Sequence, residues 1–385
     1  MTILEVTAVP FTYRHSGGGE RYPTELIKEL SKIERVTGCY SSDEGIRILE
    51  GDFLVPSKFL NAEPYLTNSN PLPTIRTFFE IRNFIQSNIH EIEFIHIHNL
   101  RTAMSTAWLF LIKLLKESKF KVILTDHNAQ FFPFPKLSIS AVDYYAPVSQ
   151  YSNQILQSYS RKPFRVFPAP VRINFNNKAR VKSFEEREID LLFIGRLVPW
   201  KAPNKLIELV SYLRSNGLPN IKAVIAGRPL GNEYYDYLQK LVKNLKLGGN
   251  IQFLLSPDDN AVADLYSTSK YHVLMSTSID VYGHKHISPE LSPATIAEAA
   301  IFGTPSIVSS APGLREQVEE GSTGFIVNES DLLSAGEIVK NALSSPNIWK
   351  DLSSKAYGKV KIERNISKIV FDFKKYLDDI RSGVI

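Results

Sequence analysis

Short apolar runs and longer amphipathic stretches alternate along this chain of 385 residues, in one block before about residue 170 and in another after about 190. A run of four to eight apolar residues reads as a buried strand, and apolar residues at i, i+3, i+4 and i+7 as a helix with one buried face. The first block predicts strand 2–9, a glycine-rich loop, helix about 20–35 and strand near 46–49. Helix 74–87, strand 93–98, helix 102–117, strand 120–125, strand 143–148, helix 152–159 and strand 164–168 follow. Asn174 to Arg187 is polar and charged without apolar periodicity and reads as a linker. The second block predicts strand 190–194, helix 203–215, strand 221–226, helix 232–246, strand 250–254, helix 259–267 and strand 271–275. Helix 293–302, strand 305–308, a short helix near 313–319, strand 324–327 and helices from 331 onward complete it. The last helix, about 366–380, carries Ile369, Phe373 and Leu377 on one face. Repeated strand–helix alternation predicts an α/β protein with a doubly wound parallel sheet in each half.

Composition changes this picture little. A hydrophobic share of 43% and a charged share of 22% fit a globular protein with substantial cores. Cys39 is the sole cysteine, which allows no internal disulfide and fits a reducing, cytoplasmic setting. Met1 to Pro10 has no basic stretch ahead of its apolar residues and reads as a first strand, not a signal peptide. Ala107 to Leu115 is interrupted by Lys113 and is too short to span a bilayer. Charge is unevenly placed: 22 basic against 16 acidic residues in 1–183, and 23 against 24 in the remainder. A basic first half allows peripheral contact with an anionic membrane surface or acceptor. Nucleic acid is not expected as a partner, because no helix-turn-helix, zinc-ligand spacing or aromatic–basic RNA motif is present.

Candidate chemistry gathers at predicted strand ends. Leu191 to Ile194 ends at Gly195, and Arg196 and Lys201 leave the carboxyl end of that strand together, where open α/β sheets bind ligands. A guanidinium and an ammonium there suit a diphosphate whose negative charge grows as it departs. Further along, Glu290 and Glu298 flank Ser292-Pro293, a favoured N-cap and first helical residue. The helix predicted there offers N–H groups near Ala294 and Thr295 to a phosphate, between two carboxylates that can grip hydroxyls. Gly17-Gly18-Gly19 lies between a predicted strand and a helix, but Arg21 and Tyr22 follow, so it is not a G-x-G-x-x-G fingerprint. His127 stands just beyond the strand Lys121 to Thr125 and can hydrogen-bond a hydroxyl. His96 and His98 alternate with Ile95 and Ile97, a pattern read as core packing; with His284 and His286 lacking a third ligand, no metal is expected.

Several blocks in register resemble family-4 glycosyltransferases. They are Gly195-Arg196 with Lys201, Glu290 and Glu298 with Gly303-Thr-Pro305, Pro312-Gly313-Leu-Arg-Glu316, and Gly321-Ser-Thr-Gly324-Phe-Ile-Val327. The match is strong from about Asp190 to Val327 and looser in the first half. The resemblance implies the GT-B architecture, two Rossmann-like domains facing a central cleft. Its N-terminal acceptor-binding domain would be 1–183, joined by the C-terminal helix about 366–385, and its donor-binding domain 184–365. It also implies a retaining enzyme that takes a nucleoside-diphosphate sugar, UDP or GDP being the favoured carriers, and a sugar, glycan or lipid-linked acceptor, without a cofactor. By the same resemblance Arg196 and Lys201 neutralise the departing diphosphate, Glu290 and His127 hold the donor sugar, and Glu298 binds ribose. Gly18 and Gly19 lie beside the phosphates, and Leu254 belongs to the loop that meets the base. Departures from the family pattern are Ala202, Ser292, Pro293 and Pro312, where a glycine or an aromatic is usual, and a longer 278–289 segment, read as a mobile polar loop. A non-catalytic GT-B scaffold, a nucleotide-sugar epimerase and a glycan phosphorylase are the other functions this pattern leaves open.

Overall fold

The computed structural model describes residues 2–7, 18–42, 45–50, 53–55, 82–83, 85–98, 112–115, 120–127, 136, 139–172, 175 and 180–385. The chain divides into two compact units, Met1–Ala169 with Ile366–Ile385, and Pro170–Asn365. Among the described residues, no helix is long and apolar enough to cross a membrane.

The first unit is built on strands β1 (Thr2–Thr7), β2 (Val36–Ser42), β3 (Gly45–Glu50), β4 (Phe53–Val55), β5 (Ile92–His98), β6 (Lys121–Thr125) and β7 (Tyr144–Tyr145), in the order β4-β3-β2-β1-β5-β6-β7. From β2 through β1, β5, β6 and β7 the pairing is parallel. The edge beyond β2 is antiparallel instead, with Ser42 opposite Gly45 and Glu50 opposite Phe53. Only two residues separate β2 from β3, too few for a parallel crossover. Phe164 makes a single bridge to Tyr145 where strand 164–168 is expected. Pro163, Pro168 and Pro170 crowd that segment, and proline cannot donate to a ladder. Residues 82–83, 85–88 and 112–115 are helical, and the rest of the expected helices 74–87 and 102–117 lies outside the described residues, as does Gly17.

Helices α1 (Gly18–Leu30) and α2 (Gln150–Tyr159) belong to this unit, and the C-terminal helix Ile366–Arg381, named α10 below, packs on α1. Ile95, Ile97, Val122, Leu124 and Leu156 form its core. The face predicted for the last helix is the buried one: Ile369, Phe373 and Leu377 are each 3% exposed or less. Tyr376 adds a bond from its hydroxyl to Tyr145 O at 3.0 Å, and Arg381 binds Glu34 and Glu93.

The second unit holds β8 (Ile189–Ile194), β9 (Ala223–Gly227), β10 (Ile251–Leu255), β11 (Ser269–Leu274), β12 (Ser306–Ser309) and β13 (Gly324–Val327), all parallel in the order β10-β9-β8-β11-β12-β13. The described helices between and after them are α3 (Pro203–Ser215), α4 (Glu233–Asn244), α5 (Asp259–Thr268), α6 (Ala294–Ile301), α7 (Pro312–Arg315), α8 (Leu332–Leu343) and α9 (Pro346–Glu363). The strand order reverses between β8 and β11, which creates a switch point at their carboxyl ends. One face of the sheet packs Leu206, Leu209, Val210 and Leu213 of α3, and the other packs Tyr266 of α5 with Ala297 and Ile301 of α6.

The segment that lacks apolar periodicity ends in a buried anchor. Arg187 is 2% exposed and donates to Ser269 O (2.6 Å), Phe302 O (2.7 Å), Thr304 Oγ1 (2.7 Å) and Tyr266 O (3.2 Å), with its guanidinium over the Trp349 ring. Carbonyls at strand and helix ends, not apolar side chains, hold it there, so periodicity carries no trace of it.

Candidate active site

The switch point collects most of the charged residues singled out in the sequence. β8 runs out through Gly195 into a 3-10 turn, Pro199–Lys201, whose Trp200 carbonyl accepts from Thr277 N, three residues beyond β11 (2.9 Å). That tie turns the Lys201 side chain inward, to 12% exposure, where its ammonium pairs with the Glu290 carboxylate, itself 9% exposed. Ser276 Oγ donates to the same carboxylate at 3.2 Å. Gly195 lies directly beneath, since a Cβ there would meet Lys201 Cδ at 3.4 Å. Gly227, with φ +152, is required by the same geometry: its Cβ would sit 1.7 Å from Gly195 O.

Glu290 is positioned from below by α7. A Cβ on Gly313 would lie 2.2 Å from Glu290 O, so only glycine lets this turn carry the loop. His272 on β11 is fully buried; burial and the nearby Lys201 charge push its imidazole down to about 3, so it stays neutral. A lysine–carboxylate pair this far out of water is costly to assemble and contributes little to stability. Arg196 is exposed at the strand end.

Glu298 goes elsewhere. It is 2% exposed within α6 and accepts from Arg172 Nε (2.5 Å) and a second Arg172 nitrogen (3.2 Å), and from the Tyr266 hydroxyl (3.2 Å). Arg172 also binds Asp259 at 2.6 Å; burial opposes its charge, but Glu298 and its neighbours hold it above the usual range. α6 starts one residue later than expected, at Ala294, with Pro293 as its N-cap and no side-chain cap bond. Ala294 and Thr295 form its first turn, both half-buried. Leu254, on edge strand β10, packs against the apolar cluster that contains Val224 and Ala297. The 278–289 segment is internally tied: the Asp280 carboxylate accepts from Tyr282 N, His284 N and His286 Nε2, and Ile279 bridges Lys285.

In the first unit, His127 follows β6 and its Nε2 lies 3.4 Å from His98 Nδ1. His98 Nε2 contacts Glu5 at 2.8 Å, and Glu5 also contacts His96 Nδ1 at 2.9 Å. Glu5, His96 and His98 are all buried, and their ligand atoms, within 4.8 Å of one another, have the donor set of a metal site. As placed, they are hydrogen-bonded to each other. Gly18 and Gly19 begin α1.

Residues 174–359 match the family model described as glycosyl transferases group 1. That stretch belongs to this family. A D-inositol 3-phosphate glycosyltransferase of Rhodococcus erythropolis is 28% identical over 173 residues, 44% of this chain and 36% of that protein. One from Rhodococcus opacus is 25% identical over 55% of this chain and 47% of its own length. The matched region therefore spans less than half of these curated relatives. Among solved structures, a sucrose-phosphate synthase from Thermosynechococcus elongatus superposes with a TM-score of 0.77 at 15% identity, over 99% of both chains. A glycosyltransferase from Rickettsia africae gives 0.74 at 18% identity over 98% of both. An Anabaena protein in complex with UDP-glucose gives 0.72 at 16%, over 98% of this chain and 100% of its own. With two Rossmann-like α/β units, these likenesses establish the GT-B fold.

The sequence patterns did not single out Ser276 or Asp259 within the group 1 region, nor Arg172 just ahead of it. Ser276 lies two residues beyond the end of buried strand β11 and gives no periodic signal, and Arg172 looks like one more cation in a basic segment. Outside it Glu5 was missed too. Its only mark is position: a lone carboxylate in the apolar run Ile3-Leu4-Glu5-Val6.

Proposed function

We propose that the protein moves a sugar from a nucleoside-diphosphate donor to an acceptor hydroxyl with retention of configuration at the anomeric carbon. The observation that carries this reading is the buried Lys201–Glu290–Ser276 cluster at the β8/β11 switch point. Binding of a diphosphate draws Lys201 from Glu290 toward the phosphate oxygens and frees the carboxylate for the hydroxyls of the donor sugar. Arg196, exposed beside it, supplies the second positive charge, and the first-turn amides of α6 at Ala294 and Thr295 supply donors. Glu298 takes the ribose hydroxyls, since a carboxylate has about four acceptor sites and three are used by Arg172 and Tyr266. His127 holds another donor-sugar hydroxyl, Gly18 and Gly19 lie along the phosphates, and Leu254 borders the base.

In the reaction the bond from the anomeric carbon to the diphosphate oxygen breaks while the acceptor oxygen bonds to that carbon on the same face. The acceptor proton passes to the departing diphosphate. Charge neutralisation at the leaving group supplies the largest share of the rate. UDP-glucose in the Anabaena structure supports a UDP-linked sugar as donor, and the relatives' names support a hydroxyl on a small polar acceptor.

Thermal unfolding in the presence of UDP, GDP or ADP tests the reading. One nucleotide at a hundredfold excess over its Kd is expected to stabilise the wild type by about 2.7 kcal/mol and to leave Lys201→Ala unshifted. If none of the three stabilises the wild type, or if the variant responds equally, the assigned site is wrong.

A further inference from the structure

The Glu298 carboxylate is held by a residue that lies outside its own helix and just ahead of the stretch that matches the family model. Val171 and Arg172 follow the point where the second unit begins, and Val171 N donates to Arg364 O at 3.0 Å. Phe175 N donates to Arg172 O at 2.9 Å, which closes a turn. The Arg172 guanidinium lies over the Phe175 ring, 4.6 Å from its centre. Val171 and Phe175 are buried, and the Arg172 side chain is 15% exposed. Backbone, ring and ion pairs together fix where this guanidinium sits.

From there it takes Glu298 side-on: Nε donates to Oε1 at 2.5 Å and Nη2 to Oε2 at 3.2 Å. A fork of two bonds sets the plane of a carboxylate as well as its place. Nη1 donates to Asp259 at 2.6 Å, and the Tyr266 hydroxyl donates to Glu298 Oε2 at 3.2 Å. Oε2 thus accepts twice and Oε1 once, and each oxygen of an ionised carboxylate has about two acceptor positions. The position left over is on Oε1.

Charge and helix geometry say what fits that position. Two carboxylates share one guanidinium, so the trio of Arg172, Glu298 and Asp259 is net negative. Such a group attracts hydroxyls, which donate, and repels phosphate oxygens, which only accept. Glu298 also lies four residues after Ala294 in α6, on the same side of the helix and about 6 Å further along its axis. A diphosphate at the first-turn amides puts the ribose of its nucleoside, the next group along, beside Glu298.

We propose that Arg172 is a positioning residue for ribose recognition: it turns Glu298 so that Oε1 accepts from a ribose hydroxyl, and so selects ribonucleotide over deoxyribonucleotide donors. A site built to bond a hydroxyl rejects the analogue that lacks it, because the site's own polar group is then left unpaired. The inference rests on the nucleoside-diphosphate donor proposed above.

The test is calorimetric titration of the full-length protein with UDP, GDP and ADP, with the 2′-deoxy and 3′-deoxy forms of whichever binds, and with inorganic pyrophosphate, which has no ribose. The wild type is expected to bind the ribonucleotide about 10–100-fold tighter than the form lacking the hydroxyl held by Oε1, the range of one hydrogen bond to a charged group. Arg172→Lys keeps the charge but cannot hold both oxygens. In that variant the ratio should collapse toward unity, while pyrophosphate binds as it does to the wild type. Under turnover the variant should raise KM for the donor and leave kcat nearly unchanged, since the ribose contact is the same in the ground and transition states. An unchanged ratio, or a folded Arg172→Lys that loses pyrophosphate and nucleotide alike, overturns the positioning role. A crystal structure of the wild type with the nucleotide decides it without a variant. Oε1 should accept from a ribose hydroxyl with both Arg172 bonds in place, and Arg172 turned away from Glu298 would overturn the proposal. A wild type that binds ribose and deoxyribose forms equally rejects the inference and leaves the donor reading standing. Failure of all three nucleotides to bind the wild type rejects that reading, and the inference with it.

Discussion

Ala202 follows Lys201 with φ 49 and ψ 49, in the left-handed region, and it is buried. A Cβ in this region costs about 1–2 kcal/mol, and glycine avoids that at some cost in chain entropy. The family pattern has glycine here, and the physical reason is now visible: the chain must reverse between the 3-10 turn and α3 to send Lys201 inward. Ala202→Gly is expected to raise the unfolding free energy by about 0.5–1 kcal/mol, measured by urea denaturation. An unchanged or lower midpoint would mean that the turn does not hold this conformation. At this scale the candidate residues are legible in the sequence: Arg196, Lys201 and His127 follow strand ends, and Glu290 lies in the loop ahead of α6. Their partners are not. Lys201 with Glu290, Glu298 with Arg172 and His98 with Glu5 are separated by 89, 126 and 93 residues, and no local pattern joins residues so far apart.

Among the elements, α7 shows how a weak sequence signal becomes a structural requirement. Its four residues bury Gly313 against the Glu290 and Leu291 carbonyls, while Pro312 occupies a first helical position, where a missing N–H goes unneeded. Gly313→Ala is expected to push the Glu290 loop outward. It should destabilise the protein by about 1–3 kcal/mol and reduce donor binding more than Glu290→Gln does, since it moves backbone as well as side chain. Equal or tighter nucleotide binding in Gly313→Ala, read by calorimetry, would contradict that placement. The 278–289 segment is the converse case. Polarity and length suggest a mobile loop, yet Asp280 accepts three hydrogen bonds within it, and His286 lies against the Trp200 ring at 5.2 Å. An aspartate that ties its own turn looks in sequence like any other loop aspartate.

On the scale of the whole chain, the last helix completes the first unit rather than the second, which precedes it. Ile369, Phe373, Tyr376 and Leu377 are buried there, and each such side chain is worth about 1.5–3 kcal/mol. Their sum rivals the entire stability of a typical domain. Truncation after Asn365 is therefore expected to unfold the first unit while the second keeps a cooperative transition, as seen by calorimetry or limited proteolysis. An intact first unit in the truncated protein would show that α10 is dispensable. The sequence by itself determined the α/β class, the strand–helix order of the second unit and the amphipathic face of α10, because periodicity and strand-end motifs are local properties. The antiparallel edge of the first sheet, the burial of Arg187, the pairing of Lys201 with Glu290 and the chain from Glu5 to His127 were decided only by tertiary structure. Each depends on which distant backbone supplies the partner of a polar group, and that is settled when the sheets assemble.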